Sequence, residues 1–143
     1  FELPPEKLGA LETARLLNVE PATVYKTIVV TREKSSGRKP LLVVIPGSNQ
    51  VDLKALAASL GEKKVYLPTE REAETLTGLQ AGGISPLALL NKGFQVLLDA
   101  SAREQVEIHI SGGQRGLNIR LPVEALIRLT NACLVEISMP ASP

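Results

Sequence analysis

The chain has 143 residues, 44% of them hydrophobic and 22% charged, with a net charge of +1 and no tryptophan. That length suits one domain with its own core over residues 1–143, and the composition excludes a disordered or fibrous chain. Near-neutral charge excludes a nucleic-acid binder relying on a broad basic field, and two Tyr and two Phe leave few platforms for stacked bases.

The chain opens at Phe1 and not at Met, so residues are expected to precede it. "LETARLLNV", Leu11 to Val19, sets Leu11, Ala14 and Leu17 on one helical face, and Pro21 begins the next segment. "YKTIVVT" from Tyr25 and "LLVVIP" from Leu41 read as two strands of a buried hairpin, apolar on successive positions as expected of strands covered on both faces. Between them "REKSSGRK", Arg32 to Lys39, reads as a solvated basic tip.

Lysine is among the side chains least often fully buried, yet Lys26 stands in this apolar run, on one strand face with Ile28 and Val30. Two placements fit it. Its stem could lie over apolar surface with the amine in water, or its amine could stand at the mouth of an apolar pocket and hold an anionic or carbonyl group.

"DLKALAASLG" predicts a helix with Asp52 as N-cap, Leu53, Leu56, Ala57 and Leu60 on one face, and Gly61 as its stop. "KKVYL", Lys63 to Leu67, reads as a short strand. Thr69 and Glu72 have capping-box spacing at the start of a helix that closes at Gly78. In the loop that follows, "AGGISP" specifies backbone more than side chains: Gly82 and Gly83 allow close approach and positive φ, and Pro86 stiffens the exit. Such a loop can be a plain turn or can aim N–H groups at a carbonyl.

"FQVLLD" from Phe94 is a further strand. "VEIHIS" and "LNIRL" then alternate about "GGQRG" as a hairpin, with Val106, Ile108, Ile110, Leu117, Ile119 and Leu121 on one face and His109, Ser111, Asn118 and Arg120 on the other. His109, the one histidine, reads as surface or structural; a serine triad lacks an acidic partner for it, and a metal cluster lacks His and Cys ligands. Pro122 suits the first turn of the helix "PVEALIRLT", and "ACLVEI" from Ala132 is a last strand. Within it, lone Cys133 reads as a small buried hydrophobe in a reducing compartment. Apolar runs are too short for a membrane span and no leader is evident, so a cytoplasmic protein away from membranes is expected. Phosphate-binding glycine fingerprints are absent, and neither cofactor nor metal is expected. The expected architecture is α+β: a mixed, mostly antiparallel sheet curled into a barrel-like core with surrounding helices.

Taken in order and spacing, "VYKTIVV", "VDLKALAASLGEKKV", "TGLQAGGISPLAL" and "SGGQRGLNIRL" resemble the YbaK/prolyl-tRNA-synthetase-associated domain family, over roughly Leu11 to Ile137. Its members are free-standing relatives of the editing domain of bacterial prolyl-tRNA synthetases. The resemblance implies a trans-acting aminoacyl-tRNA deacylase of Cys-tRNA(Pro) type that meets the acceptor end of aminoacyl-tRNA and has prolyl-tRNA synthetase as a candidate partner. It also implies that Lys26, Gly82, Gly83 and Ser111 form the catalytic set, and that Thr27, Ile28, Ile84, Ser85, Pro86, Gly112 and Asn118 line the substrate site. Val30 is expected to join Ile28 and Ile84 in the pocket's apolar wall. The family's Cys-tRNA deacylase branch has aspartate seven residues after the serine, where this chain has Asn118, which hydrogen-bonds but carries no charge. The alternative is a non-catalytic module on the same fold, binding aminoacyl-adenosine, a small ligand or a synthetase. A general DNA or RNA binder is disfavoured by the charge.

Overall fold

Successive apolar residues demand cover on both faces of a strand, and the central sheet has it. The computed structural model describes residues 1–32 and 39–141. Strands β1 (Tyr25–Val30) and β2 (Leu41–Pro46) pair antiparallel with Lys26 opposite Ile45; of the basic tip Arg32 to Lys39, residues 33–38 lie outside the described residues, and Arg32 is buried against Glu62 and Gln95 rather than solvated. The short strand β3 (Asn49–Val51) and helix α2 (Leu53–Leu60) follow, then α3 (Glu70–Thr77). Strand β4 (Gln95–Asp99) runs parallel to β2 on the side away from β1, and β7 (Cys133–Val135) lies parallel to β4. The order is therefore β1-β2-β4-β7, with β1 at one edge.

Period two divides β2 between two cores. Leu42 and Val44 join Val96, Leu98, Tyr25 and Val29 on one face, covered by the hairpin of β5 (Glu107–Ser111) and β6 (Asn118–Pro122) and by α4 (Val123–Thr130) through Ile108, Ile110, Leu121 and Leu126. Leu41, Val43 and Ile45 join Val30 and Leu97 on the other, covered by Leu56 and Ala57 of α2 with Val65 and Ile137. Caps end the helices where local chemistry demands. Asp52 Oδ1 accepts from the Ala55 N–H at 3.0 Å, Gly61 and Gly78 close α2 and α3 in the left-handed region, and Thr69 and Glu72 complete a capping box.

Several expectations need correction. Among the described residues the strands form three separate sheets, and none closes into a barrel. Closure would need β1 to pair with β5 along its length, but among the described residues the one bridge to β5 is made by Val24, just before β1, to His109, so β1 itself has no ladder partner on that edge. Lys63 to Leu67 forms no strand; Tyr66 contributes one bridge, to Thr31. The strand expected over "ACLVEI" is β7, shortened to Cys133–Val135, and it is not the last: β8 (Ser138–Pro140) follows and turns away to pair with β3. Cys133 is exposed, since β7 is an edge strand. On the first helix, α1 (Ala10–Leu17), Thr13 and Ala14 are buried and Leu11 is outside. Val106 precedes β5 and is exposed, and Pro122 ends β6 as the N-cap of α4. His109 is buried, because the hairpin face opposite its apolar side is covered by Phe1 and by the segment entering β1. No helix among the described residues is long and apolar enough to cross a membrane.

Candidate functional site

The open edge of β1 leaves room for a cavity of about 480 Å³. Its walls take Lys26, Thr27 and Ile28 from β1, Gly82 and Ile84 from the loop after α3, and Ser111 and Asn118 from the two ends of the hairpin turn. Ser111 and Asn118 are partners in the β5–β6 ladder, which is why residues seven apart reach one wall.

Lys26 is half-buried, and its amine has neither a hydrogen-bond acceptor nor an ion-pair partner among the described residues. Burial alone lowers its pKa, because removing water from the ammonium disfavours the charged form. Beside it, the Thr27 Oγ1 is shielded from solvent and has no hydrogen-bond partner among the described residues. A hydroxyl buried in this way costs stability, on the order of 1–3 kcal/mol. Thr27→Val keeps the shape and removes that cost, so the variant should melt no lower than the parent while binding a polar ligand more weakly. A thermal melt and a ligand titration on the same sample check both halves; a lower melting point would show that the hydroxyl has a stabilising partner.

The glycine loop is held against the hairpin turn. Gly82 has φ of +87°, and the Gly83 N–H donates to Gln80 O at 2.8 Å, closing a tight turn that L side chains would strain. Arg115 Nε donates to Ala81 O at 2.7 Å across the gap. A Cβ on Gly83 would lie 2.8 Å from the Gln114 Cα, so only glycine lets the two loops touch. Gly83, Ser85, Pro86, Gly112 and Val30 stand outside the cavity wall. Gly83 and Gly112 make the close approaches, the latter against Leu117; Ser85 is fully buried, its Oγ accepting from the Leu87 N–H at 3.2 Å. Val30 belongs to the second core.

Asn118 is oriented by a residue the sequence reading left as surface or structural. His109 Nδ1–H donates to Asn118 Oδ1 at 2.8 Å, with both residues buried, so the oxygen is taken and the amide N–H groups of Asn118 remain to donate. The Ser111 Oγ accepts from the Gly113 N–H at 3.2 Å and still has its own proton to donate. At the rim Lys7 pairs with Glu70, whose carboxyl is held below its usual pKa chiefly by that hydrogen bond. Glu6, Leu67 and Pro68 complete the rim. Nothing in the sequence marked these rim residues, since their nearness to Lys26 arises from chain folding alone. A cation, two hydroxyls and an amide around one apolar cavity suit a carbonyl whose oxygen gains negative charge. No group of three or more His, Cys, Asp or Glu among the described residues could hold a metal ion.

The family model for the aminoacyl-tRNA editing domain matches residues 5–129. The chain is 36% identical over 138 residues to an Enterococcus faecalis protein provisionally named Cys-tRNA(Pro)/Cys-tRNA(Cys) deacylase EbsC, covering 96% of this chain and 82% of that one. It is also 36% identical over 83 residues to the proline–tRNA ligase of Corynebacterium efficiens, covering 57% of this chain but 14% of the ligase. Among solved structures, one described as a provisional trans-editing enzyme for prolyl tRNA synthetase superposes with a TM-score of 0.84 at 26% identity, covering 97% of this chain and 85% of that one.

Proposed function

The chain belongs to the aminoacyl-tRNA editing domain family, and from that premise we propose that the cavity beside β1 hydrolyses the ester of a mischarged aminoacyl-tRNA in trans, with Cys-tRNA(Pro) as the substrate type. An aminoacyl ester is already activated, so positioning it and stabilising the oxyanion can suffice without a protein nucleophile. Lys26 carries the reading: an amine desolvated by the fold, with no partner among the described residues, has its charge reserved for a ligand.

In this reading Lys26 meets the ester carbonyl or the oxygens of the terminal adenosine. Ser111 and Asn118 donate to the aminoacyl group, and Gly82 lets backbone approach it closely. Water adds to the carbonyl carbon, the bond to the ribose oxygen breaks, and that oxygen leaves as a hydroxyl after taking up a proton. With cysteine as the amino acid, its own sulfur can attack in place of water and displace the same oxygen. Ile28 and Ile84 limit the size of the amino acid, although an apolar wall separates side chains that differ by one methylene only about 10- to 200-fold. Such an enzyme works in the cytoplasm, where prolyl-tRNA synthetase is its natural neighbour.

A second reading, a binding module without turnover, is favoured by one observation. The position where the deacylase branch carries aspartate holds Asn118, locked by His109 and unable to take a proton. Incubating the protein with cysteinyl-, alanyl- and prolyl-tRNA and following release of the amino acid separates the two. Fastest release from cysteinyl-tRNA is expected; release from none of the three would leave the binding module standing.

A further inference from the structure

A second groove opens next to the cavity and has no part in the chemistry above. It has a volume of about 920 Å³ and runs between the end of β1 and α3, and Leu67 and Pro68 wall both spaces. We propose that this groove carries the single-stranded 3′ end of the tRNA out of the cavity, with a phosphate on Arg71 and a base on Tyr66. The proposal rests on the deacylase reading for its ligand and specifies where that ligand's polymer lies.

Three independent features point to a polyanion with flat apolar groups. The first is charge. Arg71 has no ion-pair partner among the described residues, whereas Arg32, only 8% exposed, has its charge met by Glu62 and forms part of the groove's wall. Glu72 is the groove's carboxylate, and it is engaged in the capping box at Thr69. The second is apolar surface. Tyr66, Leu67 and Leu76 are exposed together there at 40%, 54% and 42%, and Lys64 Nζ lies 5.3 Å from the centre of the Tyr66 ring. One aromatic face beside cations is the minimal platform for an unstacked base. The third is continuity: Leu67 and Pro68 wall both the cavity and the groove, so a strand leaving the cavity over them enters the groove directly.

The test measures binding apart from catalysis. Fluorescence anisotropy would follow an uncharged acceptor-stem hairpin ending in a single-stranded 3′ CCA, against the parent, Arg71→Glu, Tyr66→Ala and the charge-matched control Arg128→Glu on the exposed face of α4. Arg71→Glu should weaken binding about 10-fold or more and lower the log–log salt slope by about one, as expected when one phosphate contact is lost. Tyr66→Ala should weaken it about 5- to 100-fold, the range for one lost base stack. Arg128→Glu should leave affinity within about 2-fold, because a surface charge far from the contact is screened. Equal weakening by Arg128→Glu, unchanged affinity in Arg71→Glu, or equal binding of a blunt duplex would overturn the groove assignment. A parent protein that binds the hairpin as expected but releases no amino acid would count against the deacylase reading alone.

Discussion

Lys26→Met should lower hydrolysis of the aminoacyl ester by about 100-fold or more, the usual cost of removing one group that stabilises an oxyanion, while leaving the protein at least as stable as the parent. The pairing of these outcomes is the informative part. A lysine held by a structural ion pair would lose stability on replacement; this amine has no partner among the described residues, and its desolvation opposes folding. The sign of the pH dependence follows. Below its lowered native pKa the amine is charged in both folded and unfolded chains, and the burial cost is present in full. As pH rises from that value towards the ordinary lysine range, the native protein sheds the proton first and the cost is relieved. The gain in melting temperature from Lys26→Met should therefore be largest near neutral pH and shrink in alkali. Lys26→Arg should not restore activity, because a planar guanidinium on a longer stem does not fill the place of a compact ammonium. Melts at neutral and alkaline pH, beside a deacylation assay, check the set; a variant that hydrolyses the ester as fast as the parent removes the proposed role of Lys26.

Gly83→Ala should destabilise the fold by about 3 kcal/mol, at the upper end of overpacking costs, because the added methyl meets main chain that cannot rotate aside. The atoms in its way are the Gln114 Cα at 2.8 Å and the Arg115 nitrogen at 2.9 Å. Relief requires the two loops to part. That movement would stretch the bond from Arg115 to Ala81 and draw Gly82 and Ile84 away from Ser111 across the cavity. Hydrolysis of charged tRNA and of a small aminoacyl ester of adenosine should fall together, since the shared wall is what moves. Urea denaturation supplies the stability change, and a midpoint equal to the parent's would show that the loops accommodate the methyl. The Gly83 N–H is already bonded to Gln80, so this glycine serves the site through shape and not as a donor.

How far each feature was legible depends on the distance over which its cause acts. Caps are local: Asp52 and Thr69 satisfy N–H groups three residues on, and Gly61 and Gly78 adopt positive φ where the helix stops. The alternation of β5 and β6 and the double burial of β2 were also readable, because one strand's pattern states which faces are covered. Strand exchange between β3 and β8 was not readable: three-residue strands carry almost no pattern, and their partner lies across most of the chain.

For the site the division is the same. Composition and spacing alone singled out Lys26 as a costly placement, picked out two glycine-rich turns and set Ser111 and Asn118 on one face, since each follows from periodicity or from what a side chain loses in apolar surroundings. Only the tertiary structure decided that β1 remains an open edge, that Gly83 locks the turn while Gly82 faces the cavity, and that His109 turns the Asn118 amide inward. These depend on which distant segment supplies the covering surface, and a linear pattern of side chains holds no information on that until the chain has closed upon itself.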